Sequence, residues 1–256
     1  MVSIDNVYQK VLALSNKEQR GYMTPQEFNL LAHKAQFEIF DNYFHNTKTA
    51  YHKPESNMTF ADDMDMLEEK KAVFKSETNG FTISAGSNVF SPYMQLPSDC
   101  YLLDSIRKYA SGEVDYNPPT PQPFVQRMKR SDRSFVTGHP LLEATKYRET
   151  YEFNSPMVIN GVLKDRLVKI SPSTIKPRFY KIDYYREPVK PEWAYVVVKE
   201  KALYNSNLST NFELHSSEEE ALVSRILQLA GVIVMKPELI QIGVSEQAST
   251  KQEQND

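Results

Sequence analysis

Residues Asn16 to Phe28, reading NKEQRGYMTPQEF, specify a helix stop and a helix start within a few positions, and no other stretch constrains the fold as tightly. Asn16 with Gln19 three residues later can open a single turn, and Gly21 supplies the left-handed residue that closes it. Thr24 reads as an N-cap. Pro25 takes the first helical position, where its missing N–H costs nothing. Glu27 completes the capping box, and Met23 can pack on Phe28 as a hydrophobic staple. The chain therefore begins with two helices joined by a tight corner.

The first helix, about Ile4 to Ser15, sets Ile4, Val7, Tyr8, Val11 and Leu12 on one stripe. In the second, Pro25 to about Phe44, residues Phe28, Leu31, Ala32, Ala35 and Ile39 form an apolar face. Leu30, Phe37 and Phe44 recur on the opposite side. A helix apolar on two sides is the centre of a bundle or the edge of a subunit contact, so Leu30, Phe37 and Phe44 are the interface candidates. A third helix, Ala61 to about Lys75, is strongly charged, and its Asp62, Asp63 and Asp65 suit a helix N-terminus.

From Thr78 the apolar period shifts toward two, and strands are predicted around Phe81 to Ser84, Val89 to Leu96 and Cys100 to Tyr109. The run NPPTPQP at 117–123 is an extended connector, and a short helix is predicted over 123–133. Further strands are expected at Thr145 to Glu152, Leu167 to Ile170, Arg178 to Arg186 and Ala194 to Tyr204. Prolines between them favour an antiparallel meander. Ser217 with Glu220 reads as a second capping box, followed by a helix stopped at Gly231 and a last helix from Pro237. The fold class is α+β: a helical bundle formed by the N- and C-terminal segments with an inserted antiparallel β domain. The expected segments are helices in 1–76, a β-rich insertion in 77–210, helices in 211–244 packing on the N-terminal ones, and a polar tail in 245–256.

Composition narrows the function. A net charge of -3 argues against a uniformly basic DNA coat, and eight glycines exclude most Gly-loop nucleotide sites. Cys100 stands alone, so no intramolecular disulfide or cysteine-based zinc site is expected. The N-terminus lacks a secretory pattern, and the most apolar run, Ile226 to Met235, is far short of the roughly 20 residues of a membrane span, so a soluble protein is expected.

No Walker A loop, GxGxxG, HExxH, GxSxG or EF-hand pattern is present, and the five histidines are scattered. Ser173 to Lys176 matches SxxK only in letters, because prolines bracket it. Glu218, Glu219 and Glu220 fit the first turn of a helix better than an acid–base or metal cluster. No cofactor and no metal are expected. The one nucleic-acid feature is basic: Arg127, Lys129, Arg130 and Arg133 beside Phe124 and Phe135, suited to phosphates rather than to base reading.

Two regions carry a resemblance. Asn16 to Phe28 with Asn29-Leu30-Leu31-Ala32 is one. The other comprises Trp193 to Val198, Asn211 to Glu219 and Leu229 to Val232. Together they resemble a structural protein family of tailed bacteriophages, of the crAss-like and marine podovirus type, made up of head-to-tail ring or adaptor proteins. The resemblance implies a virion protein at the head-tail junction, made in the host cytoplasm and forming a ring of about twelve copies. It implies the portal protein and tail or further ring proteins as partners, double-stranded DNA passing nonspecifically through the channel, no membrane and no catalytic residues. Other virion rings such as a tail tube or collar, a soluble nucleic-acid-binding module, and an enzyme with a dispersed site are the alternatives.

Overall fold

The computed structural model describes residues 1–16, 23–51, 58–84, 90–108, 124–145, 148–159, 161–172, 179–199 and 201–233 of the chain. The expected turn closed by Gly21, the 117–123 connector, Ser173 to Lys176, the helix after Pro237 and the 245–256 tail lie outside the described residues. Three helices come first: α1 (Ile4–Asn16), α2 (Pro25–Tyr51) and α3 (Met58–Ala72). Strands β1 (Lys75–Ser84), β2 (Phe90–Gln95), β3 (Cys100–Lys108) and β4 (Gln126–Arg127) follow, then the one-turn α4 (Arg133–Val136). Next are β5 (Thr150–Asn154), β6 (Met157–Ile159), β7 (Val162–Lys164), β8 (Leu167–Ser171) and β9 (Phe179–Arg186). The hairpin β10 (Tyr195–Val198) and β11 (Lys201–Tyr204) precedes α5 (Glu219–Ile233). The chain is α+β. It divides into two compact units, one of residues 1–73 with 188–256 and the other of residues 74–187.

In the first unit α5 packs on α1 and α2, and α3 packs on α2. The Thr24 box forms: the Thr24 amide donates to Glu27 Oε2 at 2.9 Å, and the Glu27 amide donates to Thr24 Oγ1 at 3.3 Å. Two orphan amides of the helix start are thereby satisfied. Phe28, Leu31, Ala32 and Ala35 are buried as the periodicity requires, and the buried face continues through Phe40, Tyr43 and Phe44.

Residues 188–210, read from the sequence as the end of the β region, group with the terminal helices. Hydrogen bonds from α2 explain this. Asn29 accepts from the Trp193 amide through Oδ1 at 2.8 Å and donates from Nδ2 to the Trp193 carbonyl at 3.2 Å. Two turns further along, the fully buried Gln36 donates to the Val189 carbonyl at 2.8 Å and accepts from the Glu213 amide at 3.2 Å. Glu213 in turn accepts from the Val189 amide at 2.8 Å. The extended return segment thus meets its backbone requirements through α2 side chains.

The second unit is a seven-stranded sheet ordered β3-β9-β1-β2-β8-β5-β4, antiparallel except for β4 against β5. Its two edges are tied together. Val125 donates to the Ile106 carbonyl on β3 at 2.8 Å, while Gln126 and Met128 donate to the Glu149 and Tyr151 carbonyls beside and on β5 at 2.9 and 2.8 Å. Among the described residues a single bridge, Arg107 with Phe124, thus links the two ends of the sheet and covers part of an edge that would otherwise invite aggregation. Met94, Ile106, Val125, Tyr151, Val168, Ile170, Tyr180 and Ile182 are among the buried cluster of its core.

That link corrects the predicted helix over 123–133. Residues 124–127 are extended, and helical turns occupy only Arg130–Asp132 and Arg133–Val136. The amides of Val125 and Gln126 serve the two sheet edges, so a helix there would forfeit the seam. The predicted single run from Ala194 to Tyr204 is a hairpin, turning at Lys199 with φ of 49°. The cap before α5 also differs from expectation. His215, not Ser217, caps the turn, its Nδ1 accepting from the Ser217 amide at 3.3 Å.

Candidate subunit interface and nucleic-acid face

The resemblance motifs turn out to hold the helical unit together. Asn29 clamps Trp193, Asn211 Oδ1 accepts from the Ile4 amide at 3.1 Å to cap α1, and Glu213 bridges to Val189. Trp193 donates from its indole nitrogen to Asp5 Oδ1 at 2.9 Å, lies 4.2 Å from the Tyr8 ring, and stacks on Tyr195 and Tyr204 at 5.7 and 5.8 Å.

The acidic run at the start of α5 is likewise structural. Lys70 pairs with Glu218 at 2.6 Å, and Lys10 pairs with Glu219 at 2.9 Å and with Glu220. Burial, reinforced by Glu218, pushes the Tyr43 hydroxyl pKa well above its ordinary value, so this tyrosine stays protonated. Among the described residues, no group of three or more His, Cys, Asp and Glu is placed to hold a metal ion. Burial also lifts the Cys100 thiol to about 11, which keeps it in the unreactive thiol form.

The three interface candidates separate. Leu30 is 67% exposed and Phe37 38%, whereas Phe44 is buried at 7% with its ring 5.1 Å from that of Phe40. Phe44 therefore belongs to this chain's own core. The physical reason is drift: a seven-residue repeat slips by about 20° per step around a 3.6-residue helix, enough over two steps to rotate Phe44 toward the Phe40 and Tyr43 side.

The four basic candidates lie in the sheet unit, on β4 and the turns after it. The Arg127 guanidinium sits 5.1 Å from the Phe153 ring centroid, a cation–π distance. Arg133 reaches Glu152 at 3.3 Å, and Lys169 reaches the same carboxylate oxygen at 3.7 Å. Glu152 is buried, so Arg133 is partly committed to neutralising it. Lys129 and Arg130 are exposed and have no acidic partner among the described residues. Phe124 and Phe135 beside them are 65% and 78% exposed. The segment offers cations and aromatic faces together, the chemistry of nonspecific contact with a nucleic-acid backbone.

Two features escaped the sequence reading. Charge is partitioned: residues 74–187 hold sixteen Lys and Arg against twelve Asp and Glu, a net of +4, while residues 1–73 and 188–256 hold fourteen against twenty-one, a net of -7. The unit boundaries were needed to see this. The second is exposed apolar surface on hairpins, including Val158 and Leu163 on β6–β7 and Val196, Val197 and Leu203 on β10–β11. The signal was present as VVVKEKALY, an apolar run interrupted by a charged tip. Among the described residues, no helix is long and apolar enough to cross a membrane.

Comparison with protein-family models and with curated proteins finds no match for this chain.

Proposed function

We propose that this chain is a virion structural protein, a head-to-tail connector subunit that assembles as a ring beneath a bacteriophage portal and forms part of the channel for DNA. In this reading the terminal helices form one bundle and the β unit is inserted into it. The partners are further copies of the chain, the portal, and the next ring or tail protein.

One observation carries the reading: part of the apolar surplus is exposed, on α2 and on a hairpin. Leu30 and Phe37 on α2 and Val196, Val197 and Leu203 on a hairpin are exposed, while the half-buried Asn29 and the buried Gln36 and Glu213 are spent on backbone clamps. Large exposed apolar groups on rigid elements suit subunit contacts. A ring subunit needs two unlike faces for its neighbours, which the acidic and basic units and these elements can supply. The basic segment, with Arg127, Lys129, Arg130 and Arg133, is the part assigned to the DNA channel.

A reconstruction of the intact particle's neck tests the proposal, with this chain expected as a ring adjoining the portal. Tracing it in a tail tube or collar, or detecting substrate turnover, overturns it. The second reading, a soluble nucleic-acid-binding module, is favoured by the Arg127–Phe153 contact and the exposed Phe124 and Phe135. It expects the isolated monomer to bind duplex or single strands with an affinity that falls steeply with salt.

A further inference from the structure

The ribbon β10–β11 pairs with no third strand among the described residues. Strand alternation puts Val196, Val198 and Leu203 on one face and Tyr195, Val197 and Tyr204 on the other. Its base is held by the Trp193 stack, yet Val196, Val197 and Leu203 remain 50%, 63% and 52% exposed. A two-stranded ribbon this short is marginal in water, and one that is apolar on both faces gains from being covered twice.

Charge and length together indicate the occupant. Lys199 and Lys201 stand exposed at the tip with Glu200 between them in the sequence, a net charge of +1, although the ribbon belongs to a unit with a net charge of -7. That tip is complementary to the body from which it grows, and hence to the same body in another copy. On α2, exposed Leu30 and Phe37 lie along one strip beside exposed Lys34, with exposed Glu27 before them and Asp41 after. Leu30 and Phe37, seven residue steps apart, are separated by about 10 Å along the helix, comparable to the roughly 13 Å of a four-residue strand.

We propose that β10–β11 is an arm taken up by a second copy of this chain. It lies across the Leu30–Phe37 strip of that copy's α2, with Lys199 and Lys201 facing its acidic unit. The proposal rests on the ring reading above and names the contact that builds the ring. Arm and strip are different surfaces, so each copy gives one and receives the other, and the contact propagates head to tail.

Sedimentation of the full chain over a concentration series tests it. The wild type is expected to associate, and Val197→Asp and Phe37→Asp are each expected to weaken association at least about tenfold. An equimolar mixture of the two variants keeps one intact contact per pair and is expected to stop at a dimer. Val197 is exposed, so its variant should keep the wild-type far-ultraviolet circular dichroism. The double charge reversal Lys199→Glu with Lys201→Glu reads the same contact without altering the apolar faces, and is also expected to weaken association. If the wild type associates and the arm variants associate equally well, the arm serves another partner and this proposal fails while the ring reading stands. A mixture that yields no dimer overturns the pairing of arm with strip. A wild type that stays monomeric at every concentration overturns both.

Discussion

Asp183 shows how one side chain ties the outer face of the sheet together. It accepts from Ser105 Oγ at 2.5 Å and from Arg107 at 2.7 Å, and Arg107 also reaches Glu77 at 2.9 Å, which Lys181 shares. Burial alone would raise the Asp183 carboxyl, but the Ser105 hydroxyl and the Arg107 guanidinium outweigh it and hold the pKa below its ordinary 3.8. A carboxyl depressed in the folded chain stabilises the fold above its unfolded-state pKa, and that contribution disappears as pH falls through the folded value. Asp183→Asn is therefore expected to cost about 1–3 kcal/mol at neutral pH. Denaturant titrations at successive pH values should show the gap to wild type closing only below about pH 4. None of these partners was legible in the sequence, because Ser105, Asp183 and Glu77 meet only through the register β3-β9-β1.

At the scale of the element, α2 was the best-read part of the chain. Its start was written in four adjacent residues, and the structure places the reciprocal Thr24 and Glu27 bonds there. The Thr24 amide, and then its hydroxyl, also hold the Glu27 carboxyl pKa below its ordinary value. Thr24→Ala is expected to lower stability by about 1 kcal/mol. Urea denaturation should show an earlier midpoint with an unchanged slope. The element read worst was 123–133. Its apolar spacing fitted a helix, but local periodicity carries no information about which distant carbonyls lack donors, and two sheet edges claimed those amides. His215 was missed for a related reason. Capping preferences favoured Ser217, while a 3-10 turn ahead of α5 moved the cap two residues earlier.

At the scale of the whole molecule, the segment 74–187 has its own sheet and its own buried cluster, whereas the helical unit is assembled from two separated stretches. A fragment of residues 74–187 is expected to fold alone, with β-type circular dichroism and a cooperative thermal transition. A fragment of residues 1–73 is expected to remain largely unfolded, since α1 and α2 bury their stripes against α5. Aggregation or a featureless melt of the first fragment would contradict this. The α+β class, the helix start at Thr24, the strand expected at Arg178 to Arg186 and the lack of a catalytic motif are written in the residues themselves, because each is a local or compositional property. Tertiary structure alone decided that 124–127 links the ends of the sheet, that Phe44 is core while Leu30 and Phe37 face outward, and that Asn29, Gln36 and Glu213 clamp the return segment. Those outcomes depend on which backbone groups and faces are already satisfied by residues far away in the chain, and no local pattern encodes that.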